Sequence, residues 1–384
     1  MDLNDQLEIN IYVVRDTHDN GMTLQEYADG VLAGTQPILS HEEYVYQFGS
    51  TQENLDLVSN WAIENNLTVL DKSSGMGLVK VLGTIQQLNT LFSINLQEVT
   101  EDFRTYITHD GNVIVPPAIA NIVEKVLGLD NSFFAVRHLS IDLDSPVHNN
   151  AFVNEINPIQ MSTAYNCPVN DGYGATIGIF ELSTNAVAGY LEGWQQPDVT
   201  ASFNRIGLQP PNITTKIIDG APFSTTSTIE TMLDIYCAGG IAPKANQVYY
   251  IGLNGGTANI NNVILAAAND TVNNPCVLSI SWGIGDGTQY DTAFQSCVVK
   301  GITCFVSSGD SGSYNLNPVN SCCSIYCVSV GGTYIKLNPN NTISYESGWT
   351  GSGGGQSDIV TIPSYQSGLN YITTSSQGVS NSTP

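Results

Sequence analysis

From about residue 161 onward the chain repeats one pattern, a short apolar run followed by a segment long enough for a helix. Apolar runs at 176–180, 248–253, 277–281, 302–306 and 326–330 alternate with helix-length stretches at 229–238, 261–268 and 292–300. Strands that are apolar on both faces must be covered on both faces, and strands separated by helices pair in parallel. The pattern therefore predicts an α/β fold built on a doubly wound parallel sheet. Ligands bind such sheets beyond the carboxyl ends of the strands. That rule singles out Glu181 after the first run, Trp282-Gly283 after the third and Ser307-Ser308-Gly309-Asp310 after the fourth. Three separate segments would converge on one edge.

The preceding part, residues 6–137, reads differently, as an α+β domain. Leu7 to Val14 alternates like a strand, and Ser40-His41-Glu42-Glu43 has the spacing of a helix capping box. A helix is expected over 54–65, with Leu55, Val58, Trp61 and Ala62 as its apolar stripe. A strand at 78–82, a helix at 84–92 and a β-rich stretch ending at 113–117 follow, and a last helix over 118–127 is expected to close at Gly128. Residues 138–160 are polar and aperiodic, as a linker is, and residues 161–384 form the second unit.

Residue usage supports the division. All five histidines lie before residue 150 and all eight cysteines after it. With no imidazole beyond His148, the second unit cannot assemble a Ser-His-Asp or Cys-His apparatus, and a Cys/His zinc site lacks half its ligands. Cys322, Cys323 and Cys327 sit in an apolar stretch where buried thiols are expected before disulfides. With 35 acidic against 11 basic residues, a net charge of −24, the chain would be repelled by a phosphate backbone, so no nucleic-acid partner is expected. No apolar run approaches the roughly 20 residues of a bilayer span. The opening residues have neither the positive nor the apolar region of a signal peptide, and the sequence leaves the compartment open.

The most specific local feature is Ser227-Thr228-Ile229-Glu230-Thr231-Met232-Leu233-Asp234. Ile229, Met232, Leu233, Tyr236 and Cys237 are expected to form the buried stripe of a helix, with Glu230 and Asp234 one turn apart beside it. The plain reading is that Glu230 completes a capping box with Ser227 while Asp234 is solvated. The chemical reading is that two half-buried carboxyls share a proton, with one pKa raised, and serve as a general base in acid, where histidine would be protonated. Gly309-Asp310-Ser311-Gly312 suggests a chymotrypsin-type serine only until a histidine is sought. Asp310, delivered at a strand end, is the better candidate: a neutral carboxyl there can donate to an oxyanion. Its plain reading is a turn residue before glycine.

In order along the chain, Tyr165-Asn166-Cys167-Pro168, then Glu230 and Asp234 followed by Ala238-Gly239-Gly240-Ile241-Ala242-Pro243, then Ser279-Ile280-Ser281-Trp282-Gly283 and Ser308-Gly309-Asp310-Ser311-Gly312, resemble the signatures of the sedolisins, the serine-carboxyl peptidases. Val328-Ser329-Val330-Gly331-Gly332-Thr333 and Pro363-Ser364-Tyr365-Gln366 continue the likeness. The first unit is similar to the family's activation propeptide at His41-Glu42-Glu43-Tyr44, Phe48-Gly49, Pro116-Pro117 and Val126-Leu127-Gly128-Leu129-Asp130. The resemblance implies a subtilisin-like catalytic fold, here C-terminally incomplete, preceded by a ferredoxin-like propeptide. It implies Glu230 as general base, Asp234 as its orienting partner and Asp310 as the oxyanion-side acid. Glu181 and Trp282 would extend the network behind the base, and Gly283 with Ser307, Ser308 and Gly309 would flank an extended peptide.

One departure matters. The family's nucleophile sits in a Gly-Thr-Ser-Ala type segment beyond the Pro-Ser-Tyr-Gln motif, and none occurs in these 384 residues; Thr374-Ser375-Ser376 is no substitute. The family's calcium site belongs to the same missing portion, so no cofactor is expected in this chain. The expectation is a serine-type endopeptidase acting on proteins or peptides in acid, inhibited by its own propeptide and matured somewhere in 138–160, whose 384-residue form is inactive by itself. The alternatives are a pseudo-peptidase that binds peptides or inhibits, and an unrelated ligand-binding α/β protein. Gly255-Gly256 and the 351–355 glycine run lack the Lys-Ser/Thr of a phosphate loop.

Overall fold

The computed structural model describes residues 1–18, 21–101, 104–137, 156–168, 171–184, 191–285, 287–312, 324–354, 357, 359–361 and 363–366. Most of the expected linker with its maturation site, Cys322, Cys323 and the serines at 375–376 lie outside the described residues.

The N-terminal unit runs β1 (Gln6–Val13), α1 (Leu24–Leu32), α2 (His41–Phe48), α3 (Gln52–Glu64), β2 (Thr68–Ser73), β3 (Leu78–Thr84), α4 (Ile85–Phe92), β4 (Asn95–Glu101), β5 (Arg104–Asp110) and β6 (Val123–Leu127). Four strands form an antiparallel sheet in the order β2-β3-β1-β6, and β4 and β5 make a separate hairpin. The α3 stripe Leu55, Val58, Trp61 and Ala62 packs with Ile85, Leu88 and Phe92 of α4 on Ile9, Ile11, Val79 and Val81 of the sheet. Local sequence starts these helices: Ser40 and Thr84 each close a capping box, with Glu43 and Gln87 respectively. The expected helix over 118–127 is instead a turn followed by β6. Its apolar spacing suits a helix as well as a strand, and the open edge of β1 decides, pairing Ile11 with Val126 and Asn10 with Leu127. The preceding β structure ends at Asp110, not at 113–117.

The first unit ends in β7 (Val136–Arg137); the second then runs α5 (Pro158–Ala164), β8 (Thr176–Ser183), α6 (Gln196–Arg205), β9 (Ile213–Ile217), α7 (Ile229–Ile241), β10 (Asn246–Leu253), α8 (Gly256–Ala268), β11 (Val277–Ile280), β12 (Trp282–Gly283), α9 (Asp291–Val299), β13 (Thr303–Ser307), β14 (Val328–Val330), β15 (Thr333–Leu337) and β16 (Ile343–Gly348). Its centre is a six-stranded sheet in the order β14-β13-β11-β8-β10-β9, parallel at every pairing. One face carries α8 and α9, which bury Ile260, Val263, Ile264 and Phe294 against Phe180, Leu182, Val248, Leu278 and Val306. On the other face, Val199 and Phe203 of α6 and Ile235 of α7 cover Ile179, Tyr249 and Ile251. This is the predicted doubly wound α/β arrangement, with alternate residues of β8 and β10 entering opposite cores. The cover on the α7 side does not extend over β13 and β14, where Phe305, Val328 and Val330 are 38–45% exposed.

The two units share a core. Tyr12, Leu24, Tyr27, Tyr44 and Phe48 of the first join the cluster around α8 and α9. Polar contacts frame it: Tyr44 Oη lies 2.7 Å from Ser296 Oγ, and Lys300 Nζ stands 3.9 Å from the centre of the Tyr44 ring. Lys80 of β3 pairs with Asp219, whose other oxygen accepts from Asn262 Nδ2 at 2.6 Å.

Candidate active site

Helix α7 starts after an extended segment in which Thr228 is the N-cap, and no side chain caps it. The capping box expected between Ser227 and Glu230 does not form; Ser227 Oγ accepts from the Gln195 backbone N–H at 2.9 Å instead. Of the expected buried stripe, Met232 and Tyr236 pack against the core but the other three residues do not. Ile229, Leu233 and Cys237 are exposed, while Glu230, Thr231, Ile235, Gly239 and Gly240 face inward. The small residues explain the turn of the helix. A Cβ on Gly239 would meet the Phe203 ring at 2.7 Å and one on Gly240 would meet Pro158 at 2.4 Å, so this face alone approaches α6 and α5 closely. The same rotation carries the two carboxyls toward the sheet.

Four carboxyl side chains gather there. Glu181, near the end of β8, is fully buried, and its Oε2 accepts from Trp282 Nε1 at 2.8 Å. Asp234 Oδ1 accepts from Ser281 Oγ at 2.8 Å, which ties α7 to the end of β11. Glu230 is 1% exposed, and neither of its carboxyl oxygens has a hydrogen-bond partner among the described residues. The fourth, Glu192, comes from the loop between β8 and α6. Its Oε2 accepts from the Thr231 hydroxyl at 3.2 Å and also from Thr228, and its Oε1 faces Arg137 Nη1 at 2.9 Å. Glu192 was not legible in the sequence, where it is a single acid between Leu191 and Gly193.

Burial, then like charge, sets the protonation of this group. Burial pushes Glu230 up to about 8, repulsion from Asp234, Glu192 and Asp310 adds to the rise, and Arg137 opposes it. Asp234 and Glu181 are raised for the same first reason, desolvation. Glu181 is raised further by its neighbours' charges and held back by the Trp282 hydrogen bond. The cluster thus retains protons that isolated carboxyls would lose.

Asp310 follows β13, and its charge is among those that raise Glu230. Its loop is pinned by the glycine-rich segment: Gly353 N–H donates to Gly309 O at 2.7 Å, and Ser308 Oγ donates to Gly353 O at 3.0 Å. Gly283 lies in β12, which pairs antiparallel with β7, Trp282 opposite Arg137 and Gly283 opposite Val136. The edge expected to hold an extended peptide therefore holds one of the chain's own segments. Ser308 does not join that pairing; its N–H is bonded to Val330 O. Among the described residues no three His, Cys, Asp or Glu side chains could hold a metal ion, and the six described cysteines are free. No described helix is long and apolar enough to cross a membrane.

A smaller α+β unit thus packs on a parallel α/β unit whose strand ends carry a carboxyl cluster. Residues 2–132 match the Pro-kumamolisin activation domain. The chain is 26% identical to kumamolisin of a Bacillus species over 370 residues, covering 88% of this chain and 65% of that protein. It is 24% identical to tripeptidyl-peptidase sed5 of Aspergillus fumigatus, covering 87% and 66%, and 24% identical to xanthomonalisin of a Xanthomonas species, covering 72% and 36%. The chain is similar to these members of the sedolisin family, and its first unit matches the Pro-kumamolisin activation domain. It spans about two thirds or less of the length of these curated relatives.

Proposed function

We propose that the protein is a serine-type endopeptidase of the serine-carboxyl kind, working on proteins or peptides in acid. In this reading Glu230 is the general base, Asp234 orients it and Asp310 is the acid on the oxyanion side. One observation carries the reading: a buried glutamate with both oxygens unpartnered among the described residues, one helical turn from a second acid and raised in part by the charge of a third. A buried polar atom without a partner is costly, and it persists where a reacting group is meant to complete it. A substrate-activating hydroxyl would supply the missing hydrogen bond, with the serine coming from a segment outside these 384 residues.

The closed arrangement is silent by the same physics. With β7 against β12, burial raises Glu230 to about 8, and a carboxyl that already holds its proton cannot serve as a base. Departure of the activation unit, residues 6–137, after cleavage within 138–160, would let water reach Glu230 and relieve the desolvation that holds its proton, a larger effect than the loss of the opposing Arg137 charge. Asp310 donates to an oxyanion only when protonated, so acid is needed on that side.

The test is peptide hydrolysis by the complete product of the reading frame, followed across pH, with Glu230→Gln beside the wild type. Acid-side activity that falls by about a thousandfold or more in Glu230→Gln is expected. Undiminished turnover in that variant overturns the assignment. A second reading, a peptide-binding module without turnover, is favoured by the β7–β12 pairing. It predicts binding to the same edge and no hydrolysis by the complete product.

A further inference from the structure

We propose that Glu192 is the floor of a subsite that selects a cationic, arginine- or lysine-type side chain in the peptide lying along Trp282–Gly283. The inference rests on reading β12 as the substrate edge and goes beyond it to the side chain chosen.

The carboxyl is placed by the protein, not by its present occupant. Glu192 is fully buried; its backbone N–H donates to Ser183 Oγ at 2.8 Å, and its carbonyl accepts from Ser224 N–H at 2.9 Å. Gly193 follows because a Cβ there would lie 2.3 Å from Ser224 O, so this close approach of two backbones needs glycine. Gly193 O then accepts from Thr228 N–H at 3.0 Å, which anchors the loop to the start of α7. The hydroxyls of Thr228 and Thr231 occupy Oε2 and leave Oε1 to Arg137.

Oε1 is filled by Arg137, the residue that pairs with Trp282 in the strand edge. Backbone register and side-chain receptor therefore act on one residue: the edge fixes where the peptide lies, and Glu192 reads what it carries. Arg137 is 26% exposed while Glu192 is wholly enclosed, so the receptor is the buried partner and the cation the incoming one. Once β7 leaves, Glu192 would be a buried carboxyl with an empty oxygen. A neutral side chain entering beside it would leave that oxygen unpaired, whereas a guanidinium or ammonium would restore the ion pair. Breaking a charged, buried hydrogen bond corresponds to about tenfold or more in affinity.

The experiment uses the full chain with the edge vacated by Val136→Pro and Arg137→Ala, since proline disrupts strand pairing. Two fluorescein-labelled peptides are titrated by anisotropy: Phe-Ala-Val-Arg amide, which copies residues 134–137, and the same peptide with citrulline, the neutral isostere of arginine. The arginine peptide should bind about tenfold or more tightly, and Glu192→Gln should erase the difference. Because Glu192→Gln alters a buried group, its fold is checked by its melting transition, and the arginine–citrulline contrast decides without it. Equal binding of the two peptides overturns the subsite and leaves the proposed function standing. Failure of both to bind overturns the subsite together with the reading of β12 as a peptide edge.

Discussion

The indole N–H of Trp282 donates to Glu181 Oε2 at 2.8 Å, joining the strand that lines the cleft to the carboxyl at the back of the cluster. Both side chains are buried, Trp282 at 2% exposure and Glu181 at none, and Oε1 of Glu181 has no partner among the described residues. That bond lowers the pKa of Glu181, against the burial and like charge that raise it. Trp282→Phe removes it and leaves a void beside a carboxyl. A loss of about 2–4 kcal/mol in unfolding free energy is expected from the cavity and the orphaned oxygen together. Urea denaturation of Trp282→Phe alone and combined with Glu181→Gln separates the two, since the amide variant tolerates loss of the donor better than the carboxylate does.

The raised acids make the protein an acid-stable one. Glu230 sits at about 8 when folded against an ordinary 4.5. The unfolded chain therefore releases this proton at lower pH than the folded chain. The stability linked to it is full below about pH 4.5 and drains away as pH rises through about 8. Asp234 and Glu181 are raised as well and act in the same direction. Urea midpoints should be higher near pH 4.5 than near pH 8.5. Glu230→Gln, which cannot ionise, should flatten this dependence and exceed the wild type at the alkaline end by about 1–3 kcal/mol.

The parallel sheet was legible in the sequence because its central strands are enclosed on both faces. In β10, Val248, Tyr249, Tyr250 and Ile251 are all buried and leave no solvent-facing alternation to confuse the pattern. The edge strand β9 was not, since Ile213-Thr214-Thr215-Lys216-Ile217 is half polar, as an edge with one neighbour can be. The three predicted acids were visible by their spacing and by their position after strands, but the orientation of α7 was not. Its most apolar flank, Ile229, Leu233 and Cys237, faces outward because the carboxyls and the two glycines take the interior. A site reverses the rule that the apolar face is the buried one. Glu192 had no periodicity to reveal it, and its partner Arg137 lies 55 residues earlier.

Where the two units meet, Lys80 is 8% exposed and pairs with Asp219, with Glu8 Oε1 at 3.3 Å on its other side. Lys80→Met keeps the stem of the side chain and removes the charge, so Asp219 retains only the Asn262 bond. A loss of about 2–4 kcal/mol is expected, largely from the carboxylate left behind. Asp219→Asn on that background should return part of it. A double-mutant cycle read by denaturation checks the coupling, and equal, additive losses would show that the pair does not hold the interface.

Asp310 is held where it is by a contact that only glycine permits. A Cβ on Gly353 would fall 1.8 Å from Ser308 O and 2.9 Å from the Gly309 Cα, closer than any side chain can approach a backbone. Gly353→Ala must therefore push the 308–310 loop away and break both bonds that pin it, Gly353 N–H to Gly309 O and Ser308 Oγ to Gly353 O. Withdrawal of Asp310 removes one of the charges that raise Glu230. The infrared carboxyl band of Glu230, assigned by its loss in Glu230→Gln, should titrate at lower pH in Gly353→Ala than in the wild type. Gly353→Ser should act in the same sense, because the clash begins at Cβ. An unmoved titration would mean that Asp310 does not share the cleft with Glu230.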